Sequence, residues 1–105
     1  MYMVTILEPV KFQWDSGNTS KNFLKHKVTL EECEQIFITY GNFIFDDPQH
    51  SASEPRYVII GLTQNKRLLF IAFTIRGQFI RVISARNADK KERKLYEQAT
   101  QITEI

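Results

Sequence analysis

Leu68-Leu69-Phe70-Ile71-Ala72-Phe73-Thr74 decides the fold. Successive side chains of an extended chain point to opposite faces, so a run that is apolar at every position belongs to a central strand of a sheet, covered on one side by the helices and with the cover of its other face left open. Three further runs flank it, Phe43 to Phe45, Arg56 to Gly61 and Phe79 to Ala85, each rich in aromatic and β-branched residues. The links between them carry Asp47-Pro48, Asn65-Lys66 and Gly77, all turn chemistry, and short links predict a four-stranded antiparallel meander.

Helices are expected on either side in sequence. Thr29-Leu-Glu-Glu32 is a capping box in which the Thr29 hydroxyl and Glu32 carboxylate satisfy each other's backbone N–H groups. The helix it opens would bury Cys33, Ile36, Phe37 and Tyr40, spaced i, i+3, i+4, i+7, and stop at Gly41. A shorter polar helix is predicted before it, from Asp15 or Ser16 to Lys27, with Phe23 and Leu24 as its apolar face. Asp89-Lys-Lys-Glu92 is a second capping box, and the charged helix after it would turn Leu95, Ala99 and Ile102 inward. Met1 to Val10 read as an edge strand or an extended arm, interrupted at Pro9. The fold class is therefore α+β, in the order ααββββα, as one domain over residues 1–105.

At 105 residues and 43% hydrophobic content the chain suits one core, and its 13 aromatics argue against disorder. The longest apolar uncharged stretch, Leu68 to Ile75, is far short of the roughly 20 residues that span a bilayer, so no membrane segment is expected, nor a recognisable export leader. Cys33 is the single cysteine, which excludes an internal disulfide and agrees with a reducing, cytoplasmic setting.

Charge is unevenly placed. Residues 1–52 hold 4 Lys/Arg against 7 Asp/Glu, while residues 53–105 hold 10 against 5, and all six arginines, at 56, 67, 76, 81, 86 and 93, fall in the second half. The guanidinium fork suits phosphate and carboxylate oxygens, so an anionic partner is indicated. Arg76, Arg81 and Arg86 surround the last strand, and Lys90 and Lys91 follow at the start of the last helix. Arg81 and Arg86 are an odd number of residues apart and should face opposite sides unless a bulge intervenes. Glu54 and Arg56 could project from one face as an acid and an anion binder, or form a surface ion pair. His26 and Tyr96 are proton-transfer candidates, with helix capping and ring packing as their structural readings. Asp46, Asp47 and His50 offer metal-type ligands, but Asp-Asp-Pro is ordinary turn chemistry, so no metal and no cofactor is expected. Phosphate-binding glycine loops, His-Glu-x-x-His and Gly-x-Ser-x-Gly do not occur.

Phe12-Gln-Trp-Asp15, Asn22-Phe-Leu-Lys-His26-Lys-Val28, Phe45-Asp-Asp-Pro48 with His50, Glu54-Pro-Arg56, and Arg81-Val-Ile-Ser-Ala-Arg86 with Glu92 and Tyr96-Glu97 together resemble the BrnT family of bacterial toxins, over residues 11–97. The resemblance implies a RelE-like, metal-independent ribonuclease that inhibits translation. It also implies a BrnA-type antitoxin that binds operator DNA through a ribbon-helix-helix domain, with two toxins and two antitoxins as the expected unit. Two positions depart from the family pattern: Lys27 replaces a usual glycine and Ile75 a usual acidic residue. Under this reading Arg86 and Arg81, then Arg76, bind the scissile phosphate, with Lys90 and Lys91 as further RNA contacts. His26 or Glu54 acts as base and Tyr96 as acid. Arg86→Ala is expected to cost the most activity without unfolding, and Arg67→Ala, in a predicted turn, to be neutral. The competing reading is a non-catalytic module that binds a regulatory partner through a basic sheet face.

Overall fold

The computed structural model describes residues 3–4, 11–19, 26–38, 41–50 and 53–103. In chain order the elements are β1 (Met3–Val4), β2 (Lys11–Phe12), α1 (Leu30–Ile38), β3 (Phe43–Asp46), a 3-10 turn (Pro48–His50), β4 (Arg56–Leu62), β5 (Leu68–Arg76), β6 (Phe79–Asn87) and α2 (Lys90–Thr103). The expected meander is present as β3-β4-β5-β6, all neighbours antiparallel. Two short strands extend it to the order β1-β3-β4-β5-β6-β2, β1 antiparallel on β3 and β2 parallel on β6. Met3 and Val4 thus form an edge strand. Pairing both outer strands of the meander covers backbone N–H and C=O groups that would otherwise invite another chain.

Both capping boxes close as the sequence predicts. Glu32 N–H donates to Thr29 Oγ1 (3.1 Å) and Thr29 N–H to Glu32 Oε1 (3.0 Å); Glu92 N–H donates to Asp89 Oδ1 (2.8 Å) and Asp89 N–H to Glu92 Oε1 (2.9 Å). Tyr40 and residues 20–25 of the predicted first helix, with its apolar pair Phe23 and Leu24, lie outside the described residues. What precedes them, Asp15 to Thr19, is a turn in which the Asp15 carboxylate accepts from Gly17 N–H (2.8 Å). His26 is helical, and Lys27 leaves the helix with φ +57°.

Alternate residues of the strands sort into two cores. On one face Ile44, Ile59, Leu69, Ile71, Phe73, Val82 and Ala85 pack with Cys33, Ile36 and Phe37 of α1. On the other, Phe43, Phe45, Val58, Ile60 and Leu68 pack with Leu95, Tyr96 and Ala99 of α2. The helices therefore take opposite faces, not the single side expected from the sequence, and together they cover both apolar faces of β5. Gly61 lets α1 approach the sheet: a Cβ there would stand 3.0 Å from Asn42 Cβ and 3.1 Å from Ile36 Cγ2.

The face under α2 is built in rows of directly opposed residues, whose side chains share a side. The row Phe43–Ile60–Phe70–Arg86 is followed by Phe45–Val58–Ala72–Ser84, and then by Arg56–Thr74–Arg81. Between Ala72 and Phe73 the pairing with β6 slips, Ser84 and Val82 being opposed while Ile83 is left over. This bulge places Arg81 and Arg86 on the same face, the exception that their odd spacing required.

Candidate RNA interface

Beyond the footprint of α2 the sheet face is polar. Arg76 closes β5 and binds Glu54, just ahead of β4, through two bonds: Nε to Oε2 at 3.2 Å and Nη2 to Oε1 at 3.0 Å. Arg81 binds Asp15 in the same two-point manner, Nη1 to Oδ2 at 2.8 Å and Nη2 to Oδ1 at 3.1 Å, with Gln13 Oε1 3.3 Å from Nη1. β2 brings Gln13 and Asp15 there, because its parallel pairing with Phe79 and Ile80 carries the following residues alongside Arg81. Arg56, opposite Thr74, adds a third guanidinium. Thr74 is buried, its hydroxyl donating to Pro55 C=O at 2.7 Å.

These groups sense one another. The Arg81 guanidinium and the Gly17 N–H hold the Asp15 carboxyl below its ordinary range, with a further Coulombic contribution from Arg76. Arg76 does the same for Glu54, helped by the charges of Arg56 and Arg81. Access differs: the Arg76 side chain is 50% exposed and that of Arg81 only 17%. Phe79, opposite Arg76 on the hairpin tip, is an exposed aromatic on the same face.

Arg86 stands apart from this group. Its partner Phe70 lies four positions before Thr74, the partner of Arg81, a distance of about 13 Å along the strand. Its guanidinium lies 4.3 Å from the centroid of the Phe70 ring and grips Glu92 of α2 at 2.7 and 2.9 Å. That geometry fastens the start of α2 to β6. Lys90 and Lys91 are exposed in the same first turn.

The proposed proton-transfer groups are dispersed. His26 lies next to Lys27, and its carbonyl accepts from Arg67 Nη2 (2.9 Å), at the end of β5 remote from Arg76. Tyr96 stacks on Phe43 (5.9 Å between centroids), and burial raises its phenol pKa. Of the candidates for base or acid, only Glu54 adjoins the Arg56, Arg76 and Arg81 group. Arg67 is no loose turn residue: it also donates to Lys27 C=O (2.8 Å), to both oxygens of Glu32 (3.1 and 3.2 Å) and to Asn87 Oδ1 (2.6 Å). Burial alone would raise the Glu32 carboxyl, but the Thr29 N–H and Arg67 outweigh it and leave its pKa lowered.

A cleft of about 500 Å³ opens between the sheet, α2 and the 3-10 turn. Phe45, Val58, Phe70 and Leu95 line it with carbon, and Asp47, His50 and Glu92 contribute polar groups. Two of its residues, Asp47 and His50, stand in the sequence with Asp46 as metal-type ligands, a reading outweighed there by turn chemistry. The two instead join each other, His50 Nδ1 to Asp47 Oδ2 at 2.9 Å, and among the described residues no three His, Cys, Asp or Glu side chains gather as a metal site.

Among curated proteins none matches the chain. A family model described as the ribonuclease toxin BrnT of type II toxin-antitoxin systems matches residues 14–92, from Trp14 beside Asp15 to Glu92, the partner of Arg86. The match takes in the whole meander and the arginine face, so the chain belongs to the BrnT family of ribonuclease toxins.

Proposed function

We propose that RNA is cut on the polar sheet face, at the group formed by Arg56, Arg76, Arg81 and Glu54. A type II toxin of this family acts on RNA and has a cognate antitoxin; the site, mechanism and assembly are our reading. The observation that carries it is the juxtaposition of Arg56, Arg76 and Arg81 with ionised Glu54 on an open face.

The Glu54 carboxylate accepts the proton of a ribose 2′-hydroxyl. The 2′-oxygen attacks the adjacent phosphorus, the bond to the 5′-oxygen breaks, and that oxygen takes a proton from solvent, leaving a 2′,3′-cyclic phosphate and a 5′-hydroxyl. Arg76 meets the phosphate first because it is the more exposed; Arg81, fixed by Asp15, offers a preorganised positive charge behind it. Donors already aimed at developing charge lower the barrier more than proton transfer does, so the arginines dominate. The carboxylates that hold them prevent three like charges from scattering the side chains. No step in this scheme requires a metal, and Arg86 serves as the tie between α2 and β6.

The partner we assign is a BrnA-type antitoxin with a ribbon-helix-helix domain that binds operator DNA. It would inhibit by covering the cationic face, and dimerisation of its DNA-binding domain would give a two-toxin, two-antitoxin particle. The cytoplasm is the compartment where such a toxin meets its RNA and can arrest translation. Purified protein incubated with RNA in the presence of a chelator should yield fragments ending in 2′,3′-cyclic phosphate. RNA binding without cleavage under those conditions would overturn the assignment.

A further inference from the structure

A single apolar side chain on a protein surface is ordinary, so Phe79, 43% exposed where β6 begins, takes its meaning from its neighbours. Arg76 is opposed to it on β5 and Lys11 on β2, and opposed side chains share a face. Ile80, the next residue of β6, enters the core under α1, so Phe79 turns to the other side, that of Arg81. The row Arg76–Phe79–Lys11 thus follows the row Arg56–Thr74–Arg81, two residues or about 7 Å further along the strands. The turn Gly77-Gln78, with Gly77 at φ +61°, fixes Phe79 opposite Arg76.

One open aromatic ring with cations on both flanks, and a further guanidinium one row away, suits a nucleotide. Every base has a π-face that can lie on the ring, and the phosphates of the same strand carry the charge that Arg76, Arg81 and Lys11 attract. A protein partner draws instead on a contiguous apolar patch, which Phe79 does not make: the nearby exposed Ile75 is opposed to Ile80 and so lies on the other face. We infer that Phe79 is the platform on which an unpaired base of the RNA stacks beside the cleaved phosphate. This rests on the RNA-cleaving reading of the neighbouring arginines, and it adds to that reading a residue that touches the base.

The test measures binding of the full chain to a single-stranded 2′-O-methyl oligonucleotide, which lacks the attacking hydroxyl and so stays whole. The comparison is a strand with the same number of phosphates whose sugars carry no bases. Wild type should bind the first about 5–150-fold more tightly, the range expected of one base stacked on an aromatic ring. Phe79→Ala should lose that advantage and leave binding of the abasic strand unchanged. Phe79→Trp should keep it, and Phe79→Leu, apolar but not flat, should lose it. Thermal unfolding checks each variant, and should Phe79→Ala fail to fold, the contrast of Trp with Leu decides. Equal wild-type affinity for the two strands, equal weakening of both by Phe79→Ala, or a full advantage in Phe79→Leu would overturn the platform. So would undiminished strand binding by Phe79→Ala with loss of antitoxin binding, which would give the ring to the protein partner. Cleavage of ordinary RNA by the same wild-type preparation tests the nuclease reading separately. Cleavage without a base-dependent affinity removes the platform alone; a base-dependent affinity lost in Phe79→Ala, without cleavage, supports the stacking contact while removing the nuclease assignment.

Discussion

Arg81 and Asp15 are 66 residues apart in the chain and meet through two bonds of 2.8 and 3.1 Å beside Gly17, where an added Cβ would lie 3.2 Å from Arg81 Nη2. The pair joins the segment after β2 to the last strand of the meander, and it fixes one of the three guanidinium groups to which the chemistry is assigned.

Acid should loosen this face. Asp15 and Glu54 both have carboxyl pKa values lowered in the folded state, so their contribution is fully present above the unfolded carboxylate range and is lost as pH falls through the lowered values. Thermal unfolding followed from neutral to acid pH should show that loss, and Asp15→Asn with Glu54→Gln should flatten the acid limb. An unchanged pH dependence in the double variant would show that the pairs contribute nothing to stability. If Glu54 is the base, wild-type cleavage should persist to pH values below the ordinary glutamate range.

Arg67→Ala should be clearly destabilising. It would leave the Lys27 and His26 carbonyls, the half-buried Glu32 carboxylate and Asn87 without their shared donor. Hydrogen bonds to charged groups each contribute roughly 1.5–3 kcal/mol, and part of the loss is screened because the Arg67 side chain is 25% exposed, so about 2–3 kcal/mol is expected in total. Chemical denaturation gives the value directly. A change below about 0.5 kcal/mol would return Arg67 to the status of an ordinary surface residue.

Lys27→Gly should stabilise the fold. Lys27 has φ +57°, a region that costs a residue with a Cβ about 1–2 kcal/mol and glycine almost nothing. Against this stands the greater unfolded-state freedom of glycine, so a net gain of about 0.5–1 kcal/mol is expected. Only backbone atoms of Lys27 bind Arg67 Nη1, and glycine keeps them. A lower melting temperature for the glycine variant would refute this gain.

Much of this fold is written locally. Thr29 with Glu32, and Asp89 with Glu92, specify helix starts within four residues, and the apolar run of β5 marks its central place before any partner is known. The meander follows from turns of a few residues. Less legible were features made by distant segments. A strand apolar on both sides does not say which helix covers which face, so the separation of α1 from α2 emerged only with the packing. The bulge at Ile83 leaves no mark in composition, yet it decides that Arg81 and Arg86 share a face. Asp15, read as a helix start, becomes the partner of Arg81 because β2 pairs in parallel beside β6. Arg67 lies in a turn as expected, but its four partners come from three other segments. Arg86 looked equivalent to Arg81 in sequence and is instead tied to α2.

The most direct test is RNA cleavage by Arg76→Ala and Arg81→Ala, measured beside thermal unfolding of the same preparations, with Arg86→Ala as a second comparison and the exposed Arg93→Ala as control. Removing one preorganised donor to developing charge typically slows an enzyme by about 100–1,000-fold. Arg76→Ala and Arg81→Ala should therefore lose about that much activity while remaining folded. Arg86→Ala should lose mainly stability, through its bonds to Glu92 and its packing on Phe70, and Arg93→Ala neither. Wild-type rates of cleavage in folded Arg76→Ala and Arg81→Ala would contradict the assignment of RNA cleavage to this face.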